Sequence, residues 1–124
     1  MSPSSVLVIE DNEQNLYLMR FLLEHHGFIV WDATSGPQGL EKAARLDPDL
    51  ILLDIQLPGM DGYAVAVELR KLEARRTTPI IAVTSHAMVG DREKAIASGA
   101  TDYIEKPINP DTFIDQLKKH LSTG

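Results

Sequence analysis

Leu50-Ile51-Leu52-Leu53-Asp54 decides the fold: four consecutive apolar residues, with no polar alternation, end at a carboxylate. A strand with one wet face alternates apolar and polar side chains. An unbroken apolar run of this length fits a strand buried on both faces, as in parallel sheets. Asp47-Pro48 breaks the chain before the run, and Pro58-Gly59 marks a turn after it.

The same signature recurs on either side. Val6-Leu7-Val8-Ile9 runs into Glu10-Asp11, and Pro79-Ile80-Ile81-Ala82-Val83 ends at Thr84. Phe28-Ile29-Val30-Trp31 and Asp102-Tyr103-Ile104 read as two further strands, the last leading to Lys106-Pro107. Helical patterns lie between them. One spans about Glu13 to His26, with Leu16, Met19 and Leu23 at helical spacing and Gly27 as its stop. The next opens at Gly36-Pro37 and carries Leu40, Ala43 and Ala44 as its apolar face. A third is capped by Asp61 and carries Val65, Leu69 and Leu72. A fourth spans about Met88 to Ser98, stopped by Gly99, and the last starts near Pro110 with Phe113, Leu117 and Leu121.

Five βα units in strict alternation predict a parallel sheet with helices on both faces and right-handed crossovers. Five strands in 124 residues suit an open, doubly wound sheet rather than a closed eight-stranded barrel. The expected strand order is 2-1-3-4-5, the common one for such sheets. No linker divides the chain, so residues 1–124 read as one domain.

Composition narrows the function classes. With 44% hydrophobic and 24% charged residues the balance is that of an ordinary globular protein. Cysteine is absent, which excludes disulfides and thiolate metal sites and fits a reducing, cytoplasmic setting. No apolar run reaches the length of a membrane span, and Met1-Ser2-Pro3-Ser4-Ser5 lacks the features of a secretory signal. The net charge of -6 disfavours direct DNA binding. Lys118-Lys119, a candidate basic patch, suits the last turn of a helix.

In an open α/β sheet the functional crevice lies beyond the carboxyl ends of the strands. There the expected order gathers Glu10 and Asp11, Asp54, Thr84 and Lys106. Singly, each has a plain structural reading. Glu10 and Asp11 suit caps of the first helix, Asp54 a solvated strand end, Thr84 a β-branched strand residue and Lys106 a surface lysine. Asp61 reads as a cap rather than a ligand. Unrelated strand ends rarely supply so matched a set.

Three clustered carboxylates raise one another's pKa values unless a cation intervenes. Oxygen-only donors suit Mg²⁺, with Asp11 and Asp54 as direct ligands, Glu10 acting through water, and the Gln56 backbone carbonyl as a further oxygen. A carboxylate so held stays ionised and can attack phosphorus to give an aspartyl phosphate. Lys106 and the Thr84 hydroxyl would neutralise charge on the phosphoryl oxygens. Lys106 would also pair with Asp54 at rest.

Four stretches together resemble the receiver domain of two-component response regulators, over essentially the whole chain. They are Val6 to Asn12, Pro48 to Gly62, Pro79 to Thr84 and Gly99 to Pro107. The resemblance implies a flavodoxin-like (βα)5 fold. It implies a phosphorylated signalling switch whose only catalysis is its own phosphorylation and dephosphorylation. A histidine kinase or histidine phosphotransfer protein would pass phosphate from phosphohistidine to Asp54, and a downstream effector protein would read the result.

By position, Glu10 and Asp11 match the acidic pair that organises Mg²⁺, Thr84 the hydroxyl that turns toward the phosphoryl group, and Lys106 the lysine that contacts it. Tyr103 matches the aromatic switch residue; without the resemblance it reads as a half-buried strand aromatic. The Lys106-Pro107 bond is expected to be cis. Phosphorylation is expected to repack Tyr103 and the face of helix four, strand five and helix five, for an effector or a homodimer. Gln56 is expected to influence dephosphorylation. Ser85 to Arg92 resembles receivers of hybrid histidine kinases and of some single-domain regulators, and both settings stay open. His86 sits near the mouth of the site, as a modulator of phosphotransfer or as a loop histidine. His25, His26 and His120 lie at helix ends and read as structural.

Other classes fit less well. A haloacid-dehalogenase-type phosphatase would carry a second aspartate two residues after its nucleophile, where this chain has Gln56. A flavodoxin-like electron carrier needs a hydroxyl- and glycine-rich phosphate loop after strand one, where Glu10-Asp11-Asn12-Glu13 would repel it. A pseudo-receiver would lack part of the set that is complete here.

Overall fold

The computed structural model describes residues 3–57, 59–85 and 89–121. Strands and helices alternate: β1 (Ser5–Ile9), α1 (Glu13–His25), β2 (Ile29–Ala33), α2 (Gly36–Arg45), β3 (Leu50–Asp54), α3 (Gly62–Lys71), β4 (Ile80–Thr84), α4 (Asp91–Ser98), β5 (Asp102–Glu105) and α5 (Pro110–Lys118). A short 3₁₀ turn, Glu73–Arg75, lies between α3 and β4. The strands form one parallel sheet ordered β2-β1-β3-β4-β5. This is the doubly wound, flavodoxin-like arrangement expected.

The three central strands are buried throughout, which is why they show no polar alternation. Successive side chains divide between two cores. Val6, Val8, Leu50, Leu52, Ile81 and Val83 pack with Met19 and Leu23 of α1 and with Phe113 and Leu117 of α5. Leu7, Ile9, Ile51, Leu53, Ile80 and Ala82 pack with Ala43, Val65, Leu69 and Ala95 on α2, α3 and α4. Each fully buried Leu or Ile contributes roughly 1.5–3 kcal/mol, so the sheet centre is a stiff platform for the strand ends.

The helix starts follow local chemistry. Asn12 caps α1, its side chain accepting from the Asn15 N–H. Ser35 caps α2, Asp61 caps α3 and Asn109 caps α5 in the same manner, with proline in the first turn of α2 and α5. The cap role open to Glu10 and Asp11 is therefore held by Asn12.

Several boundaries differ from expectation. The inward face of α2 is Gly36, Gly39 and Ala43, whereas Ala44 is exposed. Gly39 sits so close to β1 that a Cβ there would lie 2.5 Å from the Ile9 side chain. The second strand begins at Ile29 and runs to Ala33, because it pairs residue for residue with β1. Leu72 and Leu121 lie just past their helices and are only partly buried. Pro58, His86 and Met88 lie outside the described residues. No helix among the described residues is long and apolar enough to cross a membrane.

Candidate functional site

The crevice at the carboxyl ends of the strands is built by neighbouring ladders. Glu10 prolongs β1 by donating its backbone N–H to the Ala33 carbonyl at 2.9 Å. Asp54 is the last residue of β3, held opposite Val83 of β4. Thr84 ends β4 opposite Glu105, and the Lys106 N–H donates to the Thr84 carbonyl at 2.7 Å. Side chains distant in sequence thus meet because each strand stops at the same level.

The loop after Asp54 folds back tightly. Gly59 takes φ +77°, a left-handed conformation that favours glycine. The Gly62 N–H then donates to the Ile55 carbonyl at 3.0 Å. A Cβ on Gly62 would lie 2.4 Å from Ile55 Cα and 2.7 Å from the Asp54 carbonyl oxygen. Backbone cannot yield as a flexible side chain would, so only glycine lets α3 begin against the loop that carries Asp54.

Glu10, Asp11 and Asp54 each offer one carboxylate oxygen, and these oxygens lie within 4.8 Å of one another. Glu10 is fully buried, Asp54 is 4% exposed and Asp11 is open to solvent. Burial and the side-chain hydrogen bond with Asp54 push the Glu10 carboxyl up from 4.5 to about 7, against the opposing pull of Lys106. Such crowding of like charges is the condition a hard cation relieves. An all-oxygen set with one exposed member fits Mg²⁺, which keeps part of its water shell.

Lys106 reaches into this cluster with its side chain almost buried. Its Nζ lies 2.7 Å from Glu10 Oε1 and 3.5 Å from Asp54 Oδ2. The expected pairing with Asp54 is present, and Glu10 is a second, nearer partner. The Lys106-Pro107 bond is cis, as expected.

The remaining expected residues are placed as follows. Thr84 is buried beside the acidic cluster's strand ends at 3% exposure. Tyr103 sits opposite Ala82 on β5, and its hydroxyl is buried without a hydrogen-bond partner among the described residues. Burial, then the charges of Asp91 and Glu105, raise its pKa. The Gln56 backbone N–H donates to Asp54 Oδ1 at 2.9 Å. His120 pairs with Asp102 at 2.7 Å, and the His26 ring contacts the Leu22 carbonyl at 2.9 Å, both structural roles. His25 stacks on Phe21. A cleft of about 430 Å³ lined by Pro3, Asp49, Thr77 and His120 opens elsewhere and contains none of the site residues.

One site contact was not anticipated. Gln56 Oε1 accepts from the Ser85 hydroxyl at 2.8 Å and from its N–H at 3.2 Å, bridging the loops after β3 and β4. The signal for it is the sheet register: pairing Asp54 with Val83 sets Gln56 opposite Ser85 two residues on.

Comparison with known proteins shows the family. Residues 6–118 match the family model described as the response regulator receiver domain. The polar-differentiation response regulator DivK of Brucella ovis is 44% identical over 117 residues, covering 94% of this chain and 95% of that protein. The receiver domain of sensor histidine kinase PA1611 from Pseudomonas aeruginosa is 35% identical with a TM-score of 0.87, over 94% of this chain and 96% of that one. Its structure has a magnesium ion coordinated in the active-site cleft. The chemotaxis response regulator CheY4 of Vibrio cholerae is 28% identical with a TM-score of 0.90, over 96% of this chain and 99% of that one.

Proposed function

The chain belongs to the response regulator receiver-domain family, and on that premise we propose that Asp54 accepts a phosphoryl group from a protein phosphohistidine. The whole chain, 1–124, acts as that single receiver. The observation that carries this reading is the cluster of buried Glu10 and Asp54 with exposed Asp11, and Lys106 set against the two buried carboxylates.

Asp11 and Asp54 would hold Mg²⁺ directly and Glu10 through water, with the Gln56 backbone carbonyl as a further oxygen. When bound, the cation neutralises the carboxylates and the incoming phosphoryl oxygens. Asp54 presents a carboxylate oxygen to the donor's phosphorus from a position kept by the Gln56 N–H and by the close approach of Gly62. Lys106 supplies a point charge to a phosphoryl oxygen, a task for which a compact ammonium suffices. Thr84 turns its hydroxyl to another oxygen.

The response leaves the site along β4 and β5. Displacement of Thr84 favours one packing of Tyr103 and one arrangement of α4, β5 and α5. That face then changes its affinity for an effector protein or a second copy. Ile96, 42% exposed on α4, is an apolar element it offers. The donor is a histidine kinase or a histidine phosphotransfer protein, and the setting is the cytoplasm.

The reading is tested by incubating the protein with a phosphohistidine donor and Mg²⁺ and following the label. Transfer to wild type and its loss in Asp54→Asn is the expected result. Undiminished transfer to Asp54→Asn would assign the acceptor elsewhere.

A further inference from the structure

Gln56 is held at both ends. Its backbone N–H donates to Asp54 Oδ1 at 2.9 Å. Its side-chain Oε1 accepts from Ser85 twice, from the hydroxyl at 2.8 Å and from the backbone N–H at 3.2 Å. A backbone N–H can only donate, so the orientation of the amide is fixed by chemistry: its oxygen faces Ser85 and its NH₂ is turned away. Both residues are exposed, and they follow the two strand ends that carry Asp54 and Thr84.

We propose that Ser85 is a positioning residue for hydrolysis of the Asp54 phosphoryl group. By occupying Gln56 Oε1, it denies the attacking water a hydrogen-bond acceptor and lengthens the phosphorylated state. The inference rests on the reading of Asp54 as phosphoacceptor. In the hydrolysis, the water oxygen bonds to phosphorus and the bond from phosphorus to the Asp54 oxygen breaks. The carboxylate is regenerated, and the water's two protons leave with the phosphate, one of them to be shared with solvent. A water that donates to a neighbouring acceptor keeps a lone pair aimed at phosphorus. An amide NH₂ instead donates to that lone pair and holds it back. The Ser85 bridge keeps Gln56 in the second role.

The test loads wild type, Ser85→Ala, Ser85→Thr, Gln56→Ala and the Ser85→Ala/Gln56→Ala double variant with acetyl phosphate and Mg²⁺. The donor is then removed and loss of the adduct is followed by intact mass. Ser85→Ala loses the 2.8 Å hydroxyl bond and keeps only the longer one from the backbone N–H, so it is expected to lose its phosphoryl group roughly twofold to tenfold faster than wild type, the worth of one neutral hydrogen bond. Ser85→Thr keeps the hydroxyl and is expected to match wild type. In the Gln56→Ala background, Ser85→Ala is expected to change nothing, because the group it releases is gone. A wild-type lifetime in Ser85→Ala overturns the inference. So does an equal acceleration with and without the Gln56 side chain. Either result leaves Asp54 as acceptor; absence of any adduct on wild type overturns both.

Discussion

The Lys106 ammonium lies 2.7 Å from Glu10 Oε1 and 3.5 Å from Asp54 Oδ2, so one nearly buried cation serves two buried carboxylates. Neither carboxylate is satisfied by it alone. The arrangement gathers a negative excess at the strand ends, with Asp11 at the solvent side, which a bound cation would offset.

Removing that ammonium separates binding from switching. Lys106→Ala retains Glu10, Asp11 and Asp54, so it is predicted to keep binding Mg²⁺ and to lose most of the conformational response to phosphorylation. Amide NMR shifts around Tyr103, recorded before and after phosphorylation, read this directly. A response of wild-type size would remove Lys106 from the mechanism.

The pH dependence of stability carries the mark of Glu10. Its folded-state pKa of about 7 exceeds its ordinary 4.5, so the folded protein holds this proton more tightly than the unfolded chain. That contribution is fully present below about 4.5 and is lost as pH rises toward 7. In metal-free protein, the stability of wild type relative to Glu10→Gln should fall across this window and level off above it. Urea denaturation of both proteins over the pH series measures the difference. A relative stability that rises with pH through the window would contradict the assignment.

Gly62→Ala tests how Asp54 is placed. The new Cβ would meet the Ile55 and Asp54 backbone at 2.4 and 2.7 Å. Displacing backbone in a packed region costs roughly 1–3 kcal/mol, and the loss should appear as a lower urea midpoint with a weaker Mg²⁺ affinity. Unchanged values for both would show that this approach is not needed.

Tyr103→Phe makes the opposite prediction for stability. The Tyr103 hydroxyl is buried without a partner among the described residues, and an unsatisfied buried hydroxyl is a cost. Its removal should leave stability unchanged or raise it by about 1 kcal/mol, measured by denaturation of the unphosphorylated protein. A loss larger than that gain would mean the hydroxyl is bonded in solution.

Most of the fold can be read in advance because burial writes itself into composition. The unbroken apolar runs of β1, β3 and β4 are apolar for the reason that both their faces are covered. Asp54, Thr84 and Lys106 are likewise legible, since strand ends in such a sheet point to one crevice. Register is not legible in the same way. Parallel pairing leaves no local turn to fix it, so the Gln56–Ser85 bridge and the nearness of Lys106 to Glu10 emerge only in the folded chain. Gly39, not Ala44, lies on the inward face of α2, because the close approach to Ile9 selects the smallest residue rather than the most apolar one.

The most direct measurement of the central claim is the intact mass of the protein after incubation with Mg²⁺ and acetyl phosphate. The account predicts a single added phosphoryl group that is stable in acid, labile in base, dependent on Mg²⁺ and absent from Asp54→Asn. No adduct on the wild type, or the same adduct on Asp54→Asn, would contradict it.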